Sequence, residues 1–255
     1  MQPDTYLITG ASSDIGRGLI GELAQTAPSG GTLDAKIIAH CRSGTGKLSA
    51  LIEKVPALAG QMETLCADLA VESDVQSLID TVRDKYGFPT HIVHLAATPL
   101  RLTRVTEIDW RVLTTDIEIQ ARSIGMLLRT FMPLMARSGR RCKVVIMLSS
   151  VTLGTPPKFM AEYIIAKYAL LGLFRAIVAE YSDKPICINA VSPSMVETQF
   201  LAGLPPKYVE LAAASLPAKK IAAVTDIVPA IRFLLSPASD YISGVNLPIT
   251  SGSVV

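Results

Sequence analysis

Residues 5–16 read Thr5-Tyr6-Leu7-Ile8-Thr9-Gly10-Ala11-Ser12-Ser13-Asp14-Ile15-Gly16. Thr5 to Thr9 is a short apolar run of the kind that forms a buried strand, and Gly10 to Gly16 is a turn that opens a helix. Such a turn aims backbone N–H groups and the positive end of a helix at one point, which suits an anion such as a pyrophosphate. A second apolar run, Val144-Val145-Ile146-Met147-Leu148, reads as another buried strand and ends at Ser149-Ser150. Tyr163 comes 13 residues after Ser150, and Lys167 follows at i+4, so both project from one helical face. A free phenol titrates near ~10, and a cation held close favours the phenolate. Tyr163 is then placed to exchange a proton with a carbonyl or alcohol oxygen, and Ser150 to hydrogen-bond the same oxygen.

A serine ending a strand, the Tyr163-x-x-x-Lys167 pair and the glycine turn together resemble the short-chain dehydrogenase/reductase family. The resemblance runs from about Thr5 to the C-terminus and is closest to 3-oxoacyl-(acyl-carrier-protein) reductase-like ketoreductases. It implies an α/β fold: one Rossmann-type domain over 1–255, a doubly wound parallel sheet with helices on both faces, and a substrate lid at about 199–218. It implies a nicotinamide dinucleotide and a catalytic set of Ser150, Tyr163 and Lys167. Lys167 also holds the nicotinamide ribose.

The family pattern Thr-Gly-x-x-x-Gly-x-Gly maps onto Thr9, Gly10, position 14 and Gly16, with Ser12, Ser13 and Ile15 completing the cofactor turn. Asp14 departs from the pattern, and the expectation is that it turns away from the pyrophosphate and caps the helix. Gly16, Gly18 and Gly21 also spell GxGxxG, but inside the helix rather than directly after the strand. After the second strand, Lys36 to His40, no acidic residue stands ready for a ribose hydroxyl, whereas Arg42 is placed for a 2′-phosphate. NADP(H) is therefore favoured, with NAD(H) as the alternative. By resemblance, Asp68, with Leu69 beside it, binds the adenine. Ala96 sits at the end of strand four, and Pro193, Val196 and Thr198 belong to the loop over the nicotinamide.

Glu107 to Met135 reads as one long helix whose apolar second half suggests a subunit interface, and the family forms homodimers or homotetramers. The family's catalytic Asn falls on this helix. Counting back from Pro133 and Met135 puts Gln120 in its place, and counting forward from Trp110 gives Ile117. Gln120 is the residue able to serve the proton relay. Arg137, Arg140, Arg141 and Lys143 form either a solvated basic loop or a docking patch for an acidic carrier protein. The Leu-, Ala- and Pro-rich segment 199–218 points to a hydrophobic or carrier-tethered substrate.

At 255 residues the chain can bury a large core, which with 49% hydrophobic and only 5% aromatic residues must be mostly aliphatic. A net charge of +2 argues for neither nucleic acid nor a membrane surface. Cys41, Cys66, Cys142 and Cys187 lack metal-ligand spacing and read as reduced packing residues. His40, His91 and His94 read as structural, so no metal is expected. No leader-like N-terminus or long apolar run is present, so a cytoplasmic location is expected. The reading is an NADP(H)-dependent ketoreductase acting on a small ketone or alcohol. The alternatives are an NAD-dependent secondary-alcohol dehydrogenase and a cofactor-binding regulatory or scaffold protein.

Overall fold

The seven strands are β1 (Asp4–Thr9), β2 (Ala35–Cys41), β3 (Met62–Cys66), β4 (His91–His94), β5 (Cys142–Met147), β6 (Ile186–Pro193) and β7 (Asn246–Ile249). They form one parallel sheet in the order β3-β2-β1-β4-β5-β6-β7. The computed structural model describes residues 3–26 and 33–254. Eight helices cross between the strands or follow them: α1 (Asp14–Ala24), α2 (Gly46–Lys54), α3 (Glu72–Tyr86), α4 (Trp110–Ile117), α5 (Ser123–Arg137), α6 (Ala161–Tyr181), α7 (Pro206–Ser215) and α8 (Val224–Leu235).

Helices cover both faces, which is why the strands read as continuous apolar runs rather than alternating ones. All eight residues of β6 are buried. On one face α3, α5 and α6 pack through Val75, Ile79, Leu127, Phe131, Leu170 and Phe174. On the other, α1 and α8 pack through Leu19, Ile20, Ile227 and Ile231. The order of strands reverses between β1 and β4, and a crevice opens there beyond their carboxyl ends.

The long helix differs from its expected form. It begins at Trp110 rather than Glu107, and a π-turn, Glu118–Arg122, joins α4 to α5. A π-turn accommodates an extra residue in the helical register. The two counts from its ends, to Gln120 and to Ile117, thus meet at a break in helical register. The apolar second half of this helix does not wait for another subunit. Ile124, Leu127, Leu128, Phe131, Met132 and Met135 are buried within this chain, against α3 and the sheet.

The basic cluster also differs from a docking patch. Lys143 is buried and bonds Ser239 (3.1 Å) and Asp240 (2.6 Å), while Arg140 pairs with Asp4 at 2.7 Å. Only Arg137 and Arg141 remain exposed. Both precede β5, and the six residues of that strand separate them by roughly 20 Å from the crevice.

Of the cysteines, Cys41, Cys142 and Cys187 are buried, but Cys66 is exposed and is not a packing residue. Segment 199–218 carries a short helix, Gln199–Leu201, and α7. It closes on a small separate cluster of Leu100, Val151, Met160, Leu201 and Leu204. No helix among the described residues is long and apolar enough to cross a membrane.

Candidate active site

The turn after β1 is held tightly against the end of β4. Gly10 has φ +69°, and a Cβ there would lie 2.9 Å from the backbone nitrogen of Ala96. A Cβ at Gly16 would lie 2.6 Å from the carbonyl oxygen of Ala11, so both positions admit only glycine. Ser13, not Asp14, caps α1: its Oγ accepts from the Gly16 N–H at 3.1 Å. Asp14 is already the first residue of the helix, and so cannot be its cap. Its carboxylate instead binds the Arg17 guanidinium at 2.5 Å and accepts from the backbone N–H of Gln199 at 2.8 Å. Gln199 Oε1 in turn accepts from Lys47 Nζ at 2.6 Å. The cofactor turn and the start of the lid are thus joined through one carboxylate.

Two buried histidines brace the crevice. His40 Nδ1 accepts from the Gly10 N–H (3.2 Å), which leaves Nε2–H to donate to Ala67 O (3.0 Å). Burial lowers its pKa, and the neutral ring ties β1, β2 and β3 together at their carboxyl ends. His94 takes Thr9 Oγ1 on Nδ1 at 2.7 Å and donates from Nε2 to the main-chain carbonyl of Gln120 at 3.0 Å. Its pKa is pushed down to about 3, first by burial and then by the charge of Lys167. His91 stacks on Tyr6 with ring centroids 4.3 Å apart.

Gln120 lies in the π-turn and is fully buried. Both atoms of its side-chain amide lack a hydrogen-bond partner among the described residues. Its carbonyl is the atom that holds His94, and Lys167 bonds elsewhere: Lys167 Nζ donates to Met147 O at 2.8 Å.

Lys167 Nζ sits 5.7 Å from the centre of the Tyr163 ring, as the i, i+4 spacing on α6 requires. Ser149 is the serine whose hydroxyl reaches Tyr163, while Ser150, half-buried at the start of the next turn, lines the same cavity. The phenol is not depressed by its lysine. Burial pushes the Tyr163 pKa up to about 12, opposed only by the hydrogen bond from Ser149. Burial also pushes Lys167 down to about 7, so the pair favours a protonated phenol beside a lysine that titrates near neutrality.

These groups converge on a cavity of about 900 Å³. Ser13, Asp14 and Ile15 line one side, Ser149, Ser150, Tyr163 and Lys167 the floor, and Pro193, Val196 and Thr198 the far wall. Thr198 Oγ1 donates to Val196 O at 3.2 Å, and Val196 pairs with Ala222, which fixes that loop. Ser194 keeps an ordinary backbone, with φ outside the left-handed region. The lid contributes Phe200, whose ring centre is 5.8 Å from that of Tyr163.

Several residues singled out from the sequence do not line this cavity: Gly10, Ser12, Gly16, Leu69 and Ala96, and also Arg42, Asp68 and Gln120. Arg42 is exposed just beyond β2. Asp68 Oδ1 accepts from the Ala70 N–H at 3.0 Å, beside buried Leu69. Gln120 is buried in its π-turn beside the end of β4, the central strand. Sequence reasoning assigned no role to Ser149 or Gln199, whereas His40 and His94 are structural, as expected. The histidines carried a signal, being polar rings inside otherwise aliphatic strands. Gln199 carried none.

A parallel seven-stranded sheet with a glycine turn at its switch point and a Tyr–Lys pair in its crevice is a distinctive combination. The family model described as Enoyl-(Acyl carrier protein) reductase matches residues 22–253. The chain belongs to the short-chain dehydrogenase/reductase family. It is an oxidoreductase by that membership. A 3-oxoacyl-[acyl-carrier-protein] reductase, FabG, of Pseudomonas aeruginosa is 26% identical over 255 residues, covering 99% of this chain and 98% of the relative. The fold superposes on the crystal structure of a 3-ketoacyl-(acyl-carrier-protein) reductase from Brucella melitensis complexed with NADH. That match has a TM-score of 0.85 at 21% identity and covers 99% of this chain and 98% of the other. The angucycline C-6 ketoreductase LanV, solved with bound NADP, gives a TM-score of 0.84 at 19% identity, covering 98% and 95%. The likeness to these two solved structures is one of overall fold.

Proposed function

We propose that this protein is an NADP(H)-dependent ketoreductase that reduces a hydrophobic ketone to a secondary alcohol. One observation carries the reading. Tyr163, Lys167 and the two serines open into the same cavity as the cofactor turn, under an apolar lid. The residues fit a dinucleotide, because the Gly10 turn leaves no room for a side chain and presents the capped start of α1. The relatives solved with NADH and with NADP support a nicotinamide. Arg42, which follows β2 with no acidic neighbour, supports the 2′-phosphate form.

A bound nicotinamide would supply hydride to the substrate carbonyl carbon. The protein's own part is protonation and charge. Tyr163 holds its proton until the oxygen gains negative charge, which suits a donor with a pKa pushed up to about 12. The serine hydroxyls hold that oxygen, and Lys167, when charged, stabilises the phenolate left behind. Gln120 fixes the π-turn through its carbonyl, and its side-chain amide is free to enter a proton relay. The apolar lid supports a hydrophobic or thioester-bound β-ketoacyl group. The carrier reductase among the relatives supports delivery on an acidic carrier protein. The exposed basic side chains on or next to the lid are then Lys207 within it, Lys219 and Lys220 just after it, and Lys47, which bonds Gln199.

Titration with NADPH and with NADH, followed by absorbance of the reduced nicotinamide across a panel of ketones, tests the reading. The panel includes β-ketoacyl and enoyl thioesters. NADPH oxidation with a ketone is the expected result, and oxidation with the enoyl thioester alone would overturn it. A second reading rests on Gln120, whose carbonyl is taken by His94 and whose side-chain amide meets no partner among the described residues. Tight NADPH binding with no turnover on any member would favour a cofactor-binding regulator.

A further inference from the structure

Cys41 ends β2 and Cys66 ends β3, and the two are direct partners in the register of these neighbouring parallel strands. Their Sγ atoms lie 3.3 Å apart as free thiols. Adjacent strands are ~4.8 Å apart, inside the Cα–Cα range a disulfide spans, so the sulfurs need approach by only about 1.3 Å to bond. The other two cysteines have no such neighbour: Cys142 meets Ser138 and Cys187 donates to Asp240 O.

The pair is also asymmetric. Cys41 is fully buried, and burial, with its hydrogen bond to Cys66, pushes its thiol up to about 12. Cys66 is exposed at the open end of the strand, where a small oxidant meets it first. An exposed attacking sulfur with a buried resolving thiol in contact is the arrangement that converts a transient sulfenic acid into a disulfide.

We propose that Cys41 and Cys66 are an oxidisable dithiol at the adenosine end of the crevice, whose closure to a disulfide weakens dinucleotide binding. The oxidant is a peroxide. The Cys66 thiolate attacks one peroxide oxygen and breaks the O–O bond, giving Cys66 sulfenic acid and hydroxide. The Cys41 sulfur then displaces the hydroxyl from Cys66, its own proton leaving in the water formed. Two thiols are oxidised, and one hydrogen peroxide is reduced to two waters.

The effect on binding rests on the dinucleotide reading above. Arg42 is the next residue after Cys41, and Asp68 is two beyond Cys66. The Ala67 N–H donates to Cys41 O at 3.1 Å, and His40 bridges Ala67 O to the Gly10 N–H. Drawing the two strand ends together therefore displaces the residues that meet the adenosine and strains the brace under the cofactor turn.

The test exposes reduced protein to hydrogen peroxide and follows intact mass, peptide mapping and NADPH affinity. The expected product is lighter by two hydrogens and linked Cys41 to Cys66. It binds NADPH about tenfold more weakly, within the range of linked-site couplings, and dithiothreitol restores both readouts. Cys66→Ala, an exposed change, should bind NADPH normally and show no peroxide effect. Unchanged mass, or over-oxidation of Cys66 without a link, would overturn the dithiol. A link that leaves NADPH affinity unaltered would overturn its coupling to the cofactor. If the reduced protein itself binds neither NADPH nor NADH, the dinucleotide reading fails while the mass result still decides the dithiol.

Discussion

Acidification should destabilise the fold through the neutral histidine that braces β1, β4 and the π-turn, and His94 sets the window. In the fold its pKa is about 3, held there by burial and by Lys167, whereas an unfolded histidine titrates near 6.5. The folded-state value is the lower one, so between these limits the unfolded chain binds more protons, and stability falls as pH drops below 6.5. From pH 7 to pH 4.5 the loss from this one ring is on the order of 2.5 kcal/mol, with a limiting slope of about 1.4 kcal/mol per pH unit. Protonation also has a local cost, because Nδ1 must then give up the hydrogen bond it accepts from Thr9.

Urea unfolding at several pH values between 7 and 4.5, on the wild type and on His94→Gln, measures this. Glutamine can still donate to Gln120 O but cannot titrate. The variant starts less stable and then loses less on acidification, by an amount approaching the figure above. His91, whose pKa burial holds at about 4, contributes the same sign in both proteins and cancels in the comparison. Parallel pH dependences for the two proteins would refute the assignment of a neutral, buried His94. Because the folded ring stays neutral down to about pH 3, its anchor on the Gln120 carbonyl should persist in the folded protein across this range.

Tyr163→Phe removes the proton donor and should lower turnover by about 10²–10⁴-fold with NADPH affinity nearly intact; wild-type rates would disprove the mechanism. Arg42→Ala should weaken NADPH by about tenfold or more while sparing NADH, read as two Kd values; equal changes would remove the 2′-phosphate role. Lys167 has a folded pKa of about 7, so ketone reduction should decline as pH rises through neutrality, and a rate flat to alkaline pH would show that its charge is not used. Asp14→Ala cuts the tie to Gln199 and should raise KM for bulky substrates more than it lowers kcat, with unchanged KM refuting the latch.

What was legible in the chain was what short-range patterns encode. Apolar runs gave the parallel strands, because strands buried on both faces need no alternation. The i, i+4 spacing placed Tyr163 and Lys167 on one face of α6. The turn glycines were legible because only a residue without a Cβ lets the turn lie against Ala96. Assignments failed where contact depends on chain segments far apart or on burial depth. Asp14 was misread as a cap, since its true partner, Gln199, lies 185 residues on and no local pattern points to it. Tyr163 was expected to be acidified by its lysine, but in a crevice this enclosed desolvation acts on both groups, pushing the phenol up and the lysine down.

The π-turn shows the same limit in another form. Helical counting presumes one hydrogen-bond register, and Glu118–Arg122 breaks it. The break is not free to move along the helix. His94 donates to the carbonyl of Gln120 and to no other residue of the turn, and Thr9 fixes the histidine from the opposite side. At Gln120 the main chain, not the side-chain amide, bears the tether. Gln120→Asn should for that reason fold normally and keep the π-turn, which separates the backbone's role at this position from any role of the side chain in turnover.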